Sequence, residues 1–261
     1  MGSQHHQKAA ELFFEEVRKD RISKFAEYID MGLDINQTHP VYGITPLMEA
    51  CRLGKTNMAE VLLNHGACPR VQVLPSRRAA LHIATTQGNM ALVNLLLEHG
   101  ADANALTTYG SSPLHIAVKL DELRKDAGNT IISLLIKFGA DTEIADKEGA
   151  TPLHYAAAYG RESYAKLLLE HSAEVNAIVP ESGMTPLHIA TLEDYVSLAN
   201  MLHSFGANCE LRNKQGKTAK AMAKRSTEAE NYTFVSSNDN ADHTLQPFSS
   251  NAKTANAKTL H

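Results

Sequence analysis

Short apolar segments recur along the chain in pairs, and a glycine-containing turn separates the two segments in several of the pairs. The clearest pair lies in residues 149–176, which read GATPLHYAAAYGRESYAKLLLEHSAEVN. Thr151 can cap a helix with its hydroxyl, Pro152 has the fixed φ favoured at the first helical position, and small apolar residues follow at helical spacing. Gly160 ends this helix, and residues 164–170 have the pattern of a second amphipathic helix. The pattern predicts a helix, a turn, a second helix and an exposed loop.

The same pattern returns at a nearly constant spacing. The equivalent positions in successive repeats are Leu47, Leu81, Leu114, Leu153, Leu187 and Lys220. Their separations are 34, 33, 39, 34 and 33 residues. A fixed period of this length is typical of proteins in which each repeat buries its apolar face against its neighbours. We therefore predict an all-α architecture of stacked repeats.

Two motifs accompany the period. Residues 185–190 read Thr-Pro-Leu-His-Ile-Ala, and residues 100–104 read Gly-Ala-Asp-Ala-Asn. Together with the 33-residue period, these motifs closely resemble the ankyrin repeat, and the resemblance covers roughly residues 8–228. It implies an all-α ankyrin-repeat solenoid of helix-turn-helix repeats, with hairpin loops that project from one edge as fingers and line a concave face.

The predicted boundaries follow the repeats. The segments are a disordered N-terminus (1–7), an N-terminal capping repeat (8–42), five ankyrin repeats (43–216), a C-terminal capping half-repeat (217–230) and a disordered polar tail (231–261). The tail is rich in Ser, Asn, Thr and Ala, so it cannot bury enough apolar surface to order itself. We expect it to be dispensable for folding, with Phe234 or Phe248 available for a weak docking contact.

Two repeats depart from the pattern. Ala79-Ala80 replaces Thr-Pro at the start of the third repeat, which predicts a weaker helix start. The fourth repeat carries an insertion of about six residues near 121–126. Because the inserted residues are mostly charged, we expect a longer helix or a solvated bulge rather than a break in the stack.

Composition narrows the classes of function. The net charge of −4 gives no general basic surplus for binding nucleic acid or an anionic membrane. Three widely separated cysteines argue against a disulfide scaffold, and we interpret them as buried thiols in a reducing compartment. The polar N-terminus predicts no signal peptide, and no apolar run is long enough for membrane insertion. We expect a cytoplasmic or nuclear protein that is monomeric.

The histidines do not indicate a metal site or an enzyme. Four of them occupy the same place in successive repeats: His82, His115, His154 and His188. Packed helices lie roughly 8–10 Å apart, which is too far for equivalent residues to share one metal ion. The sequence has no phosphate-binding glycine loop, no Cys-x-x-Cys pair and no nucleophile elbow. We therefore predict structural imidazoles that hydrogen-bond across the repeat, no cofactor, no metal and no catalysis.

Three asparagines end the loop motif of their repeats. Asn36, Asn104 and Asn176 resemble the target of the asparaginyl hydroxylase that modifies ankyrin repeats, with Leu96 and Leu168 upstream of the last two. The alternative is a structural amide that hydrogen-bonds within the hairpin.

Partner-binding residues are sought where the repeats differ from one another, because stacking explains the shared positions. At the loop tips and the concave ends of the first helices these are Tyr42, Arg52, Arg77, Arg78, Tyr109, Lys119, Lys147, Tyr159 and Glu193. Tyrosine and arginine dominate many protein interfaces. We expect five of these residues to contribute most to binding and to form a stripe on repeats two to five: Tyr42, Arg77, Arg78, Tyr109 and Tyr159.

The resemblance implies a non-catalytic scaffold or adaptor that binds one or more partner proteins. An ankyrin-type effector, delivered by an intracellular bacterium into host cytoplasm, is an alternative within that class. A second alternative is binding of nucleic acid or a phosphorylated ligand through a local patch of Arg77, Arg78 and Lys119. An enzyme with an unrecognised site is the rival class.

Overall fold

The computed structural model describes residues 2–120, 125–223 and 231–234, and its described part folds into thirteen helices without strands. The helices are α1 (Gly2–Lys19), α2 (Ile22–Asp30), α3 (Pro46–Arg52), α4 (Thr56–Asn64), α5 (Ala80–Thr86), α6 (Met90–Glu98), α7 (Pro113–Ala117), α8 (Lys125–Lys137), α9 (Pro152–Ala158), α10 (Glu162–Glu170), α11 (Pro186–Leu192), α12 (Val196–Ser204) and α13 (Ala219–Ala223). The predicted all-α class is confirmed.

The first helix of a repeat is short and starts at the Thr-Pro motif. In α3, the hydroxyl of Thr45 accepts a hydrogen bond from the backbone N–H of Met48 at 3.2 Å, and Pro46 occupies the first helical position. The cap satisfies a backbone donor that would otherwise be unpaired in the buried helix start. Leu47 then packs into the core with 2% of its surface exposed.

The turn between the two helices of a repeat requires left-handed backbone. Gly54, Gly88 and Gly160 adopt φ values of 69°, 65° and 64° at this position. In the sixth repeat, Asp194 replaces the glycine and still adopts a φ of 62°. The turn geometry therefore persists where its usual residue is absent.

The repeated histidine is structural, as predicted, and connects the first helix of its repeat to the loop that follows the second helix. In α5, Nδ1 of His82 accepts a hydrogen bond from the backbone N–H of Ala79 at 3.0 Å, and Nε2 lies 2.9 Å from the carbonyl oxygen of Ala105. His154 makes the same two contacts in unit 2, defined below. An Nδ1 that accepts leaves the proton on Nε2, so the ring is neutral and donates to the carbonyl in that loop.

The chain divides into two compact units. Unit 1 comprises Met1–Ala140 and contains α1–α8, whereas unit 2 comprises Asp141–His261 and contains α9–α13. In unit 1, α3, α5 and α7 pack side by side, and α6 contacts both α4 and α8. In unit 2, α11 packs between α9 and α13, and α12 contacts α10.

The ends of unit 1 differ from the sequence-based boundaries. Helix α1 begins at Gly2, so residues 2–7 are helical rather than a disordered lead into the capping repeat. At the insertion, residues 121–124 lie outside the described part of the chain. Helix α8 nevertheless has 13 residues, compared with 9 in α6. The added length lies at the start of α8, which still packs against α6 and α7, as expected for a longer helix.

Unit 2 continues beyond the predicted capping half-repeat. Tyr232 and Phe234, assigned to the disordered tail, are buried with 1% and 7% of their surface exposed. Phe234 lies against His203 of α12, with 5.5 Å between ring centroids. Asn200 holds the segment by accepting from the N–H of Thr233 and donating to the carbonyl of Asn231. Residues 231–234 therefore do not belong to a disordered tail, and residues 235–261, which hold the rest of the predicted tail, lie outside the described part.

Candidate functional site

The fingers of unit 1 carry exposed apolar side chains at their tips. We call four of them the apolar tip row: Val41, Tyr42, Leu74 and Tyr109, which are 76%, 62%, 81% and 68% exposed. They come from three successive fingers. The second and third fingers are joined because the N–H of Thr108 donates to the carbonyl of Ser76 at 2.9 Å and its hydroxyl bonds the carbonyl of Pro75. Adjacent fingers thus present apolar tips on a hydrogen-bonded base.

A pocket of about 480 Å³ lies beside the first finger, lined by Arg18, Tyr42, Ile44, Glu49 and Arg52. The side chain of Glu49 is fully buried. Arg18 Nε donates to Glu49 Oε1 at 2.7 Å. Arg52 donates from Nε to Oε2 at 2.7 Å and from Nη2 to Oε1 at 2.9 Å. Two guanidinium groups therefore share one buried carboxylate, and we call this arrangement the arginine pocket.

The charge of Glu49 is maintained by its partners. Burial alone would raise the pKa of its carboxyl, but hydrogen bonds and charge from Arg52 and Arg18 outweigh that effect and lower the pKa. The carboxylate is therefore ionised at neutral pH. It fixes the two arginines at the surface, where their remaining N–H groups can meet a ligand.

Tyr42 forms the aromatic wall of the arginine pocket. The guanidinium carbon of Arg18 lies 5.5 Å from the centroid of the Tyr42 ring, within range of a cation–π contact. The ring of His39 lies 4.6 Å from the same centroid, and its Nδ1 accepts a hydrogen bond from the N–H of Val41. The predicted residues Tyr42 and Arg52 are thus brought together.

The next finger places its arginines near α5. Arg77 is exposed, has a φ of 53°, and donates from Nη2 to Gln72 Oε1 at 3.2 Å. Arg78 donates from Nη2 to the hydroxyl of Thr86 at 2.8 Å. Thr86 lies seven residues after the N-cap of α5, and Arg52 lies seven residues after the N-cap of α3. Thr86 is therefore the equivalent of Arg52, and the guanidinium group of Arg78 lies beside it. Lys119 is half-buried in the turn that ends α7.

The predicted residues of unit 2 have different surroundings. Tyr159 is 40% exposed and stacks on Tyr155 with 6.4 Å between ring centroids. The Tyr155 hydroxyl donates to Asp146 Oδ2 at 2.6 Å, so this pair is tied to the base of its finger. The exposed residues at the three finger tips are Lys147, Glu148, Pro180, Glu181, Lys214 and Gln215. Unit 2 therefore presents mainly polar tips.

Sequence reasoning missed Arg18, Glu49, Val41 and Leu74. Glu49 had a detectable signal, because the same position in the other intact repeats is apolar: Ile83, Ile116, Tyr155 and Ile189. A charged residue at a position that is otherwise apolar indicates a buried partner of opposite charge. Arg18 had no comparable signal, since it lies 31 residues upstream in the irregular capping repeat.

The loop asparagines connect successive fingers rather than closing their own hairpins. Asn36 Oδ1 accepts from the N–H of Cys68 at 2.7 Å, and Asn104 Nδ2 donates to the carbonyl of Gly139 at 2.9 Å. Asn176 Oδ1 accepts from the N–H of Asn208 in the same way. The structural role predicted for these amides holds, but it acts between repeats. Hydroxylation stays an alternative that these contacts do not test.

The cysteines only partly match the predicted buried thiols. All three are free thiols. Cys51 is buried, and burial raises its pKa to about 12. Cys68 is exposed and Cys209 is half-buried, because both lie in finger loops rather than on a helix face. Within the described residues, no group of three His, Cys, Asp or Glu side chains could hold a metal ion, and no helix could cross a membrane.

Comparison with known proteins shows which family the sequence of this chain resembles. The sequence profile described as "Ankyrin repeats (3 copies)" matches residues 17–107, 68–127, 81–179 and 114–213. Human ankyrin repeat and SOCS box protein 16 is 38% identical over 174 residues, which cover 67% of this chain and 29% of that protein. The chain thus spans less than a third of the length of the curated relatives it matches.

Two solved structures share the fold. The ankyrin repeat domain of Bcl-3, a member of the IkappaB family, matches with a TM-score of 0.72 and 26% identity over 80% of this chain and 92% of that one. The human ASB11 ankyrin repeat domain matches with a TM-score of 0.66 and 29% identity over 84% of this chain and 95% of that one. Such domains are generally protein-interaction modules without catalytic activity. The chain belongs to the ankyrin repeat family.

Proposed function

We propose that this chain is a non-catalytic scaffold or adaptor that binds a partner protein through the fingers and adjoining helix ends of unit 1. The apolar tip row supports the proposal, because its four side chains are all more than 60% exposed on neighbouring fingers. Contiguous exposed apolar side chains rimmed by polar residues are typical of a protein-interaction site. The arginines beside them match the residue types that contribute most to such interfaces.

The residues proposed to contact the partner in unit 1 are Tyr42, Arg52, Arg77, Arg78, Tyr109 and Lys119. Tyr42 and Tyr109 are expected to contribute most, since each presents a large ring on a loop that is anchored by hydrogen bonds. Lys147 and Tyr159 of unit 2 are proposed as a separate, weaker contribution, because Tyr159 is half covered by its own packing on Tyr155. The proposed place of action is the cytoplasm or nucleus, and the proposed form is a monomer.

Affinity capture with matched variants tests this proposal. The wild-type chain and the double variant Tyr42→Ala/Tyr109→Ala are used as bait in extract of the source cell, and captured proteins are identified by mass spectrometry. A partner bound through these fingers should be captured by wild type and lost, by about thirtyfold in affinity, with the double variant. Tyr159→Ala should retain it.

Both variants should unfold at the wild-type temperature, because the replaced side chains are at least 40% exposed. Capture of the same proteins by wild type and by the double variant would contradict the proposal and move the site away from these fingers.

A further inference from the structure

The arginine pocket is the feature of unit 1 with the most specific chemistry. We propose that it receives a carboxylate side chain of the partner, flanked by apolar residues that pack on Tyr42 and Val41. This inference rests on the proposed function, since it specifies which chemistry the partner brings to the fingers of unit 1. The predicted ligand is thus an extended acidic segment with an apolar anchor.

The balance of charge supports an anionic ligand. Among the described residues, Arg18, Lys19 and Arg52 form ion pairs with two carboxylates, Glu15 and Glu49, which leaves one excess positive charge in this set. Glu15 is shared between Lys19 at 3.0 Å and Arg18 at 3.3 Å and is itself partly exposed. The chain as a whole has a net charge of −4, so this set has the opposite sign to the overall charge. An acidic segment is attracted here while the remainder of the surface repels it.

Unused donors provide the hydrogen bonds. Arg52 employs Nε and Nη2 on Glu49, and its Nη1 has no partner among the described residues. Arg18 donates from Nε to Glu49 and from Nη1 to Glu15, and its Nη2 likewise has no partner among the described residues. Both guanidinium groups are already fixed by a buried carboxylate. A ligand carboxylate can therefore bind without the entropic cost of ordering two long side chains.

The remaining walls of the pocket select the neighbours of the acidic residue. Ile44 is half-buried, and the exposed ring of Tyr42 leads from the pocket to Val41 at the finger tip. An aliphatic or aromatic residue next to the acidic one would cover these surfaces. The volume of about 480 Å³ accommodates one or two side chains but not a folded domain.

The pocket also fixes where the segment lies. The residues equivalent to Glu49 are Ile83 in α5 and Ile116 in α7. Neither of these two helices has a carboxylate at this position that could hold a pair of arginines. A single charged pocket at one end of the apolar tip row gives the segment one position along the fingers. This is how one polar contact can provide specificity while apolar contacts provide affinity.

Peptide selection with the full chain tests the inference. A random twelve-residue peptide library displayed on phage is selected on wild-type protein, and the enriched peptides are synthesised with a fluorophore. The selected sequences should share one Asp or Glu next to an aliphatic or aromatic residue. Replacing that acid by its amide should weaken binding by about tenfold or more, because a charge-assisted hydrogen bond to arginine is lost.

Two variants separate a binding role of the pocket from a structural one. Glu15→Gln removes a partly exposed carboxylate that pairs with Arg18 and Lys19 and leaves the buried Glu49 in place, so the acidic peptide should bind several-fold more tightly, whereas a purely structural role of the cluster would leave its affinity unchanged. Arg52→Lys keeps the charge but loses the guanidinium fork. It should weaken the acidic peptide several-fold and leave the amide peptide unchanged. Lys166→Gln, on an exposed face of unit 2, is the control and should change neither affinity.

The outcomes distinguish this inference from the proposed function. Selected peptides that lack a shared acid, or whose affinity does not depend on it, would overturn the inference while leaving the fingers as a binding surface, provided Tyr42→Ala/Tyr109→Ala still abolishes binding. Failure to enrich any peptide that this double variant weakens would count against the proposed function as well. Unchanged binding of the acidic peptide by Arg52→Lys overturns the inference alone.

Discussion

His82 and Glu49 are both buried in unit 1, and their surroundings determine which charge state each keeps. Burial lowers the pKa of His82 to about 4, so the ring stays neutral and can donate to the carbonyl of Ala105 in the loop after α6. Glu49 stays ionised because Arg18 and Arg52 hydrogen-bond to it. A neutral imidazole and a paired carboxylate are the forms that can be buried without an uncompensated charge.

The lowered pKa of His82 makes stability depend on pH. The unfolded chain protonates this residue below its ordinary pKa near 6.5, whereas the folded chain does not until about pH 4, so the stabilisation present above pH 6.5 is lost as pH falls between these values. Each pH unit costs about 1.4 kcal/mol, which gives a loss of about 2 kcal/mol at pH 5. Urea unfolding at pH 7 and pH 5 measures it.

The control variants assign this effect to the buried ring. His82→Gln, whose amide does not titrate, should reduce the difference between the two pH values, while His171→Gln at an exposed position should retain it. The pKa of Glu49 is lowered, so its contribution is lost only below its ordinary value near 4.5 and does not interfere at pH 5. Equal pH dependence in His82→Gln and wild type would contradict the assignment.

Residue-level roles could be predicted where the repeat constrains them. The 33-residue period identified His82 and His188 as structural because equivalent positions meet equivalent surroundings. The pairing of Arg18 with Glu49 could not be predicted, since it joins the irregular capping repeat to the next one across 31 residues. The apolar tips Val41 and Leu74 were missed because they are not tyrosine or arginine, the types on which the choice was based.

At the scale of the helix, the start of α5 is the clearest weakness. Ala79 is the N-cap and offers no side-chain acceptor, although its φ of −106° and ψ of 170° match the extended geometry of Thr45 and Thr185. Ala79→Thr with Ala80→Pro should stabilise unit 1 by about 1–2 kcal/mol, because it adds a cap and pre-orders the first turn. Thermal unfolding followed by circular dichroism measures the gain.

The effect of the added cap at residue 79 on stability can be separated from the effect of the larger side chain. Ala79→Val has the size of threonine without its hydroxyl, so it should give no gain at this buried position. If the Thr-Pro variant unfolds at or below the wild-type temperature, the assignment of Ala79 as the N-cap loses its support.

Two turn glycines of unit 2 allow the cost of backbone strain to be measured separately from the cost of a steric clash. Both Gly160 and Gly206 have left-handed φ values, of 64° and 92°, but a Cβ on Gly160 would lie 2.8 Å from a ring carbon of Tyr195, whereas one on Gly206 meets nothing within 4 Å. Gly206→Ala should cost about 1–2 kcal/mol through strain. Gly160→Ala should cost about 1–3 kcal/mol more, because the ring of the next repeat must move. Urea unfolding midpoints compare the two.

The excess cost assigned to Gly160 has its own check. In the background of Tyr195→Ala, the alanine at position 160 should cost no more than the one at position 206, since the obstructing ring is absent. Equal costs of the two glycine substitutions in the wild-type background would show that Tyr195 moves aside freely.

Helices with the consensus spacing were predicted closely, and those outside it were not. The first and second helices of the intact repeats follow their Thr-Pro and glycine signals, as in α9 and α10. Helix α1 starts earlier than predicted because polar residues at its beginning carry no apolar period from which a start could be read. The extra length of α8 was left open as a helix or a bulge, since charged residues are compatible with both.

At the scale of the molecule, the end of the repeat array depends on a segment that the sequence assigned to a tail. Among the described parts of unit 2, α13 packs against α11, whereas residues 231–234 lie against α12. Tyr232 supplies the cover: its ring is buried and its hydroxyl donates to Asp194 Oδ1 at 3.1 Å. Composition could not reveal this, because one tyrosine and one phenylalanine among polar residues resemble an unfolded segment.

Truncation of the chain tests whether residues 231–234 complete unit 2. Removal of residues 231–261 should destabilise unit 2 by about 3–5 kcal/mol, the usual cost of deleting a buried aromatic side chain, and Tyr232→Ala in the full chain should reproduce most of that loss. Removal of residues 235–261 alone should leave stability unchanged, which retains the prediction of a dispensable tail for the part after Phe234. Asn231→Ala is the control, since only the backbone carbonyl of this exposed residue is used.

Hydrogen exchange resolves which unit loses protection in the truncated chains. Because each repeat is stabilised by its neighbours, the loss should be greatest in α11 and α12. Equal protection in both truncated chains would show that Tyr232 and Phe234 cover α12 without stabilising it.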